Sequence, residues 1–182
     1  MSKLLLSILK RALLPAALVI VGKAAGLYFA IKIFDLNLLV DNDIHGIFTT
    51  QFYFTSTADT LLANSISNSF MFLILLIGTL IFLIRANLRI SANSNSETLV
   101  KIVKLNLLDW ITEKDNFLLN LGIWIFFLMG TGVTTLRDSL INVNYDWAAF
   151  ATLGITIVTL GFTVNTFERK INQVYPRDLN ET

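Results

Sequence analysis

Cysteine is absent from this chain. That absence removes disulfides, thiolate metal sites and cysteine nucleophiles together. A single histidine, His45, leaves no room for a histidine-rich metal site. Charge is scarce as well: 15% of the residues are charged, where soluble domains carry roughly 25%. The balance is a net +1, so no global basic field points to nucleic acid. No motif asks for a cofactor.

What the sequence has instead is apolar length. Hydrophobic residues make up 54% of the 182, and the mean hydropathy is +0.66. The charges sit in short blocks between long apolar runs, which is the pattern of membrane spans. Four runs suffice to cross the roughly 30 Å of bilayer hydrocarbon, which takes roughly 20 residues. They cover about residues 13–34, 66–84, 117–136 and 147–167. Backbone amides cannot stay unpaired in lipid, so these runs are expected as helices. The reading is an all-α membrane protein: a single four-helix membrane domain over residues 1–171 and a cytoplasmic tail over 172–182. The first run starts with Lys3, Lys10 and Arg11, as a signal peptide does, yet it is too long and carries a lysine.

Lysine and arginine set the expected orientation. The N-terminus, the central loop (Arg85, Arg89, Lys101, Lys104, Lys114) and the C-terminus (Arg169, Lys170, Arg177) are basic. The two alternate loops are acid-rich, with Asp35, Asp41, Asp43 and Asp59, then Asp138 and Asp146. Only Lys32 and Arg137 oppose those acids. Both termini are therefore expected on the cytoplasmic side, in the inner membrane of a prokaryote. The halves share a layout: a basic amphipathic start, an outward span ending in a base and an acid, and an inward span ending in asparagine and arginine (IRANLR, VNTFERK). Such a layout suits a two-plus-two repeat, and equally any pair of hairpins that start inside.

Between the spans, ETLVKIVKLNLLDWI places Leu99, Val103, Leu107, Trp110 and Ile111 on one helical face and Lys101 and Lys104 on another. That arrangement predicts an amphipathic interfacial helix at about 97–111, with Trp110 at headgroup level and the lysines near lipid phosphates. SANSNS before it reads as a polar loop. The long outer loop, 35–64, holds IHGIFTTQFYFT, whose Phe48, Phe52, Tyr53 and Phe54 are expected in the headgroups or over the bundle. Asp41, Asp43 and His45 alternate there, a weak metal pattern better read as solvated loop.

Two features inside the spans bear on function. Lys23 lies midway between Arg11 and Asp35, which places it near mid-membrane, where an isolated lysine costs about 2.5–3.5 kcal/mol. Lys23 can snorkel toward an interface, bond hydroxyls, amides or carbonyls of its own bundle, meet a carboxylate or line a path for an anion. No Asp, Glu or His lies within the four runs, so any carboxylate is expected from another subunit. Beside it Gly22, Gly26 and Ala30 form a close-packing face for another helix. In the fourth run Thr152, Thr156, Thr159, Thr163 and Thr166 follow a 3.5-residue period and form one stripe, with Asn165 beside its end. The stripe reads either as packed, with hydroxyls returned to the helix's own carbonyls, or as a hydrated surface facing Lys23. Gly154 and Gly161 lie on a different face. The second run, nearly all apolar after Asn68 and Ser69, is expected to face lipid.

Two functions fit these residues. One is a non-catalytic subunit of a larger membrane assembly, bound to unlike subunits or to copies of itself. The other is an oligomeric channel, transporter or flippase for an anionic or lipid-linked substrate. On the endings IRANLR and VNTFERK the layout is similar to that of the small four-span flippase-like proteins of polysaccharide synthesis. Those proteins have tight outer loops and asparagine-arginine-arginine ends on spans two and four. Here the first outer loop is long and neither ending matches in full, so no residue is carried over. No nucleophile–base constellation accompanies Lys23, and no enzyme is expected.

Overall fold

The computed structural model describes residues 3–40, 52–54, 56–105 and 117–174. The elements in chain order are α1 (Lys3–Phe34), β1 (Leu38–Val40), β2 (Phe52–Phe54), α2 (Thr57–Ser94), α3 (Ser96–Lys104), α4 (Phe117–Leu140) and α5 (Asp146–Val174). α1, α2, α4 and α5 are each long and apolar enough to cross a bilayer. The chain is thus an all-α polytopic membrane protein; among the described residues two paired three-residue strands lie outside the helices.

The helices outrun the apolar runs, and local chemistry fixes where they stop. α2 has 38 residues, about 57 Å at 1.5 Å each, so it extends well past the 66–84 core. It starts at Ser56, whose Oγ accepts from the Asp59 amide at 3.0 Å, an ordinary N-cap. SANSNS is not a loop: the helix runs through Ser94 and breaks only at Asn95. Asn95 ends α2, its amide donating to the Ser91 carbonyl, and starts α3, its side chain accepting from the Glu97 amide at 2.9 Å. α1 and α4 end alike. The Leu36 amide reaches back to the Ile31 carbonyl and the Val143 amide to that of Asp138, with Asp35 and Asn142 at positive φ between. These are Schellman turns made with the residue types, after glycine, that best tolerate the left-handed region. At the other terminus Gln173 Nε2 donates to the Ile90 carbonyl at 2.8 Å, so residues 172–174 belong to α5 rather than to a tail.

The first loop is 35–56, shorter than expected, because α2 starts early. β1 and β2 pair antiparallel, Leu38 with Phe54 and Val40 with Phe52. Phe54 is buried with Ala30, Leu36 and Ala63, sealing the end of the α1–α2 pair. Phe48, Asp41, Asp43 and His45 lie outside the described residues, as do Leu107, Trp110 and Ile111.

α2 is the central helix, packed against α1, α4 and α5. Within the span only its side with Leu73, Ile77, Leu80, Ile81 and Ile84 is exposed, so the expectation that it faces lipid holds for one face alone. Apolarity does not mark the lipid face inside a membrane, where packing of small and polar groups decides which side is covered. α2 offers such groups: Ser65, Ser67, Asn68, Thr79 and Ala86 are buried. Against α1 the contact is tight. A Cβ on Gly22 would stand 2.9 Å from Met71 Cα, and one on Gly26 would stand 2.7 Å from Phe70 Cβ and Ser67 Cα. Against α4, Trp124 lies directly on Gly78. α4 meets α5 where Gly132 faces the Thr156 hydroxyl. α1 has no comparable contact with α5, so the two halves are not arranged about a twofold axis. α1 is a peripheral helix held mainly from one side.

The start of α1, the end of α5 and α3 lie at one end of the bundle, here the basic end. The α1–α2 and α4–α5 connections lie at the other, the hairpin end.

Candidate functional site

Gly22 packs on Met71 of α2 and Gly26 on Ser67, and Ser67 Oγ donates to the Lys23 carbonyl at 2.7 Å. The next residue, Asn68, donates from Nδ2 to Asp138 Oδ2 at 3.1 Å, and α4 stops at Leu140. Lys23 lies opposite Thr131 and Thr134 of α4, before the last turn of that helix. α1 and α2 both project past the α4–α5 turn at the hairpin end.

The Lys23 side chain is exposed, and among the described residues none bonds its ammonium. It stands at the mouth of a slot between α1 and α4. Ile8, Ala12, Ala16, Val19 and Lys23, at steps of three and four, form the α1 wall. Gly122, Phe126, Gly130 and Thr134 carry the α4 wall. Two hollows of about 610 and 540 Å³ make up the slot and share Phe126 and Phe127. A Cβ built on Gly122 or Gly130 would touch nothing within 4 Å, so these glycines leave space rather than permit contact. Among the described residues Lys23 is the sole charged one lining either hollow.

The threonine stripe is elsewhere. Thr152, Thr156, Thr159, Thr163 and Thr166 are all buried in the bundle. Each hydroxyl donates to a carbonyl of its own helix, as Thr156 does to Thr152 at 2.7 Å and Thr163 to Thr159 at 2.8 Å. Thr131 and Thr135 on α4 do the same. The stripe is a packed seam, and Lys23 faces Thr131 and Thr134 across the slot instead. Asn165 is exposed on the outer side of α5.

Polar groups converge at both ends, and sequence reading passed over most of these contacts. At the hairpin end Ser65 accepts from the Tyr145 amide at 2.8 Å, and Ser139 donates to Asp146. Asn144 is buried there with neither side-chain atom bonded. At the basic end Arg11 Nη1 donates to Asn120 Oδ1 at 2.6 Å, joining α1 to α4. Asn87 donates to Thr166 Oγ1 at 3.0 Å and accepts from Arg169 Nη1 at 3.3 Å. The asparagine of IRANLR thus meets the arginine of VNTFERK, a cross-pairing that the repeated endings hinted at. Arg89 lies 4.9 Å over the Phe117 ring.

α3 buries Ile102 and leaves Leu99, Val100 and Val103 half exposed, with Lys101 and Lys104 in the open. No group of three or more metal-ligating side chains occurs among the described residues. Comparison with models of known protein families, with curated proteins and with solved structures finds no match.

Proposed function

We propose that this chain is a non-catalytic component of a larger membrane assembly and that it docks through the outward face of α5. The observation that carries the reading is Gly154 and Gly161, on one stripe with the exposed Asn165. A Cβ on either glycine would meet nothing within 4 Å, so the bundle itself makes no use of them. Glycine within a helix costs about 0.5–1 kcal/mol relative to alanine. Small residues on a lipid-facing helix let a second helix approach closely, and a nearby amide supplies a hydrogen bond across the pair. The partner is another membrane subunit or a second copy of this chain.

The test is the mass of the gently extracted complex, with its components identified, for wild type and for Gly161→Leu. The variant should fold, since its side chain enters open space, and should lose the partner. A wild-type monomer, or a variant that assembles normally, overturns the reading. Transport of an anionic or lipid-linked substrate is the second reading, favoured by Lys23 at the slot mouth. A homo-oligomer whose flux depends on Lys23 would establish it.

A further inference from the structure

We infer that the slot between α1 and α4 holds the chain of an anionic membrane lipid, with its phosphate on Lys23. This site is separate from the α5 face and does not depend on assembly.

Three observations select that occupant. The first is charge. Lys23 is the one ion in the lining, no carboxylate lines either hollow, and the ammonium has no partner among the described residues. Asp138, the nearest acid by register, is bonded to the Asn68 amide. The second is depth. Lys23 stands at the hairpin-end mouth of the slot, opposite Thr134, while the slot below it is lined by Ala16, Val19 and Phe126. From Lys23 to Ile8 the stripe rises about 22 Å, against about 15 Å for half of the hydrocarbon. A whole acyl chain therefore fits below the headgroup.

The third is width. Arg11 on α1 bonds Asn120 on α4 directly, beside Ala12 in the slot. Helices bridged by a single side-chain bond leave no room between them for a third helix of about 10–12 Å diameter. A hydrocarbon chain is thin enough. The apolar lining also makes the slot a place to hold a lipid rather than a path for its headgroup, since moving a charge along it would forfeit solvation.

Full-length protein in mild detergent is titrated with phosphatidylglycerol or with phosphatidylcholine, and retained lipid is read by native mass spectrometry. Wild type should retain phosphatidylglycerol about fivefold better, the preference one lysine near a surface confers. Lys23→Met should abolish the preference and Lys23→Arg should keep it. Gly130→Leu, which fills the hollow, should lower retention of both lipids. Helical content and melting temperature should be unchanged in all three, because positions 23 and 130 are exposed. The inference is overturned by equal retention in wild type, by a preference that survives Lys23→Met, or by full displacement with millimolar inorganic phosphate, which would mark a free-anion site. A peptide helix that crosslinks to position 16 from within the slot would overturn it equally. If Gly130→Leu unfolds, the Lys23 pair of variants still decides.

Discussion

At the scale of single residues, the glycines divide by what surrounds them. Gly26 has no spare room: an added methyl would stand 2.7 Å from Ser67 Cα, a backbone atom that cannot step aside. Gly154 has open space. Gly26→Ala should therefore destabilise the fold by about 1–3 kcal/mol, the usual cost of overpacking. Gly154→Ala should leave it unchanged or stabilise it by about 0.5–1 kcal/mol through helix propensity. Reversible unfolding in mixed micelles measures both, and equal effects would contradict the close α1–α2 crossing. The four-residue spacing of Gly22, Gly26 and Ala30 was legible in the sequence as a packing face. That the face meets the chain's own second helix was not, because spacing reports the shape of one surface and says nothing of its partner. The Asn68–Asp138 bond was missed for a related reason. The acid falls just beyond the apolar run, so a census of the runs never paired it with a residue inside one. A double-mutant cycle on Asn68→Ala and Asp138→Ala should give a coupling of about 0.6–1.7 kcal/mol, the range for polar pairs within membranes.

At the scale of elements, the threonines of α5 show what periodicity conveys. Their repeat puts all five on one stripe, and the fold buries all five. Whether the stripe is wet or packed depends on the facing helices, which the repeat does not encode. With Thr156 and Thr163 bonded to their own helix, valine at both positions keeps the shape and removes hydroxyl and demand together. The paired substitution should shift stability by less than about 1 kcal/mol. Thr166→Val should cost about 1 kcal/mol more, because it strips the Asn87 amide of an acceptor. Unfolding free energies in micelles give both values, and a large loss from the first pair would mean the stripe serves more than packing. The place of α2 lay beyond sequence reading on different grounds. An apolar helix at the centre of a membrane bundle and one at its rim carry the same hydropathy, since lipid is as apolar as leucine.

At the scale of the whole molecule, the four spans were readable because bilayer thickness sets their length. Their register was not. Counting along α1 assumes that the helices end flush, whereas the α4–α5 turn meets α2 at Ser65 and α2 begins at Thr57. About 12 Å of α2 therefore projects beyond that turn. The absence of native cysteine makes this arrangement measurable with single introduced thiols and an impermeant maleimide on intact cells. If the basic end faces the cytoplasm, as the lysine and arginine distribution favours, Thr57→Cys should react and Ser96→Cys should be protected. The reverse pattern would invert the orientation without altering the fold. Depth is then read by comparing two positions on one wall of the slot. Lys23→Cys should react more slowly than Thr57→Cys but clearly faster than Ala16→Cys, about two helical turns deeper. Equal protection at 16 and 23 would place Lys23 in the membrane interior. It would also remove the headgroup-level placement on which the lipid site rests.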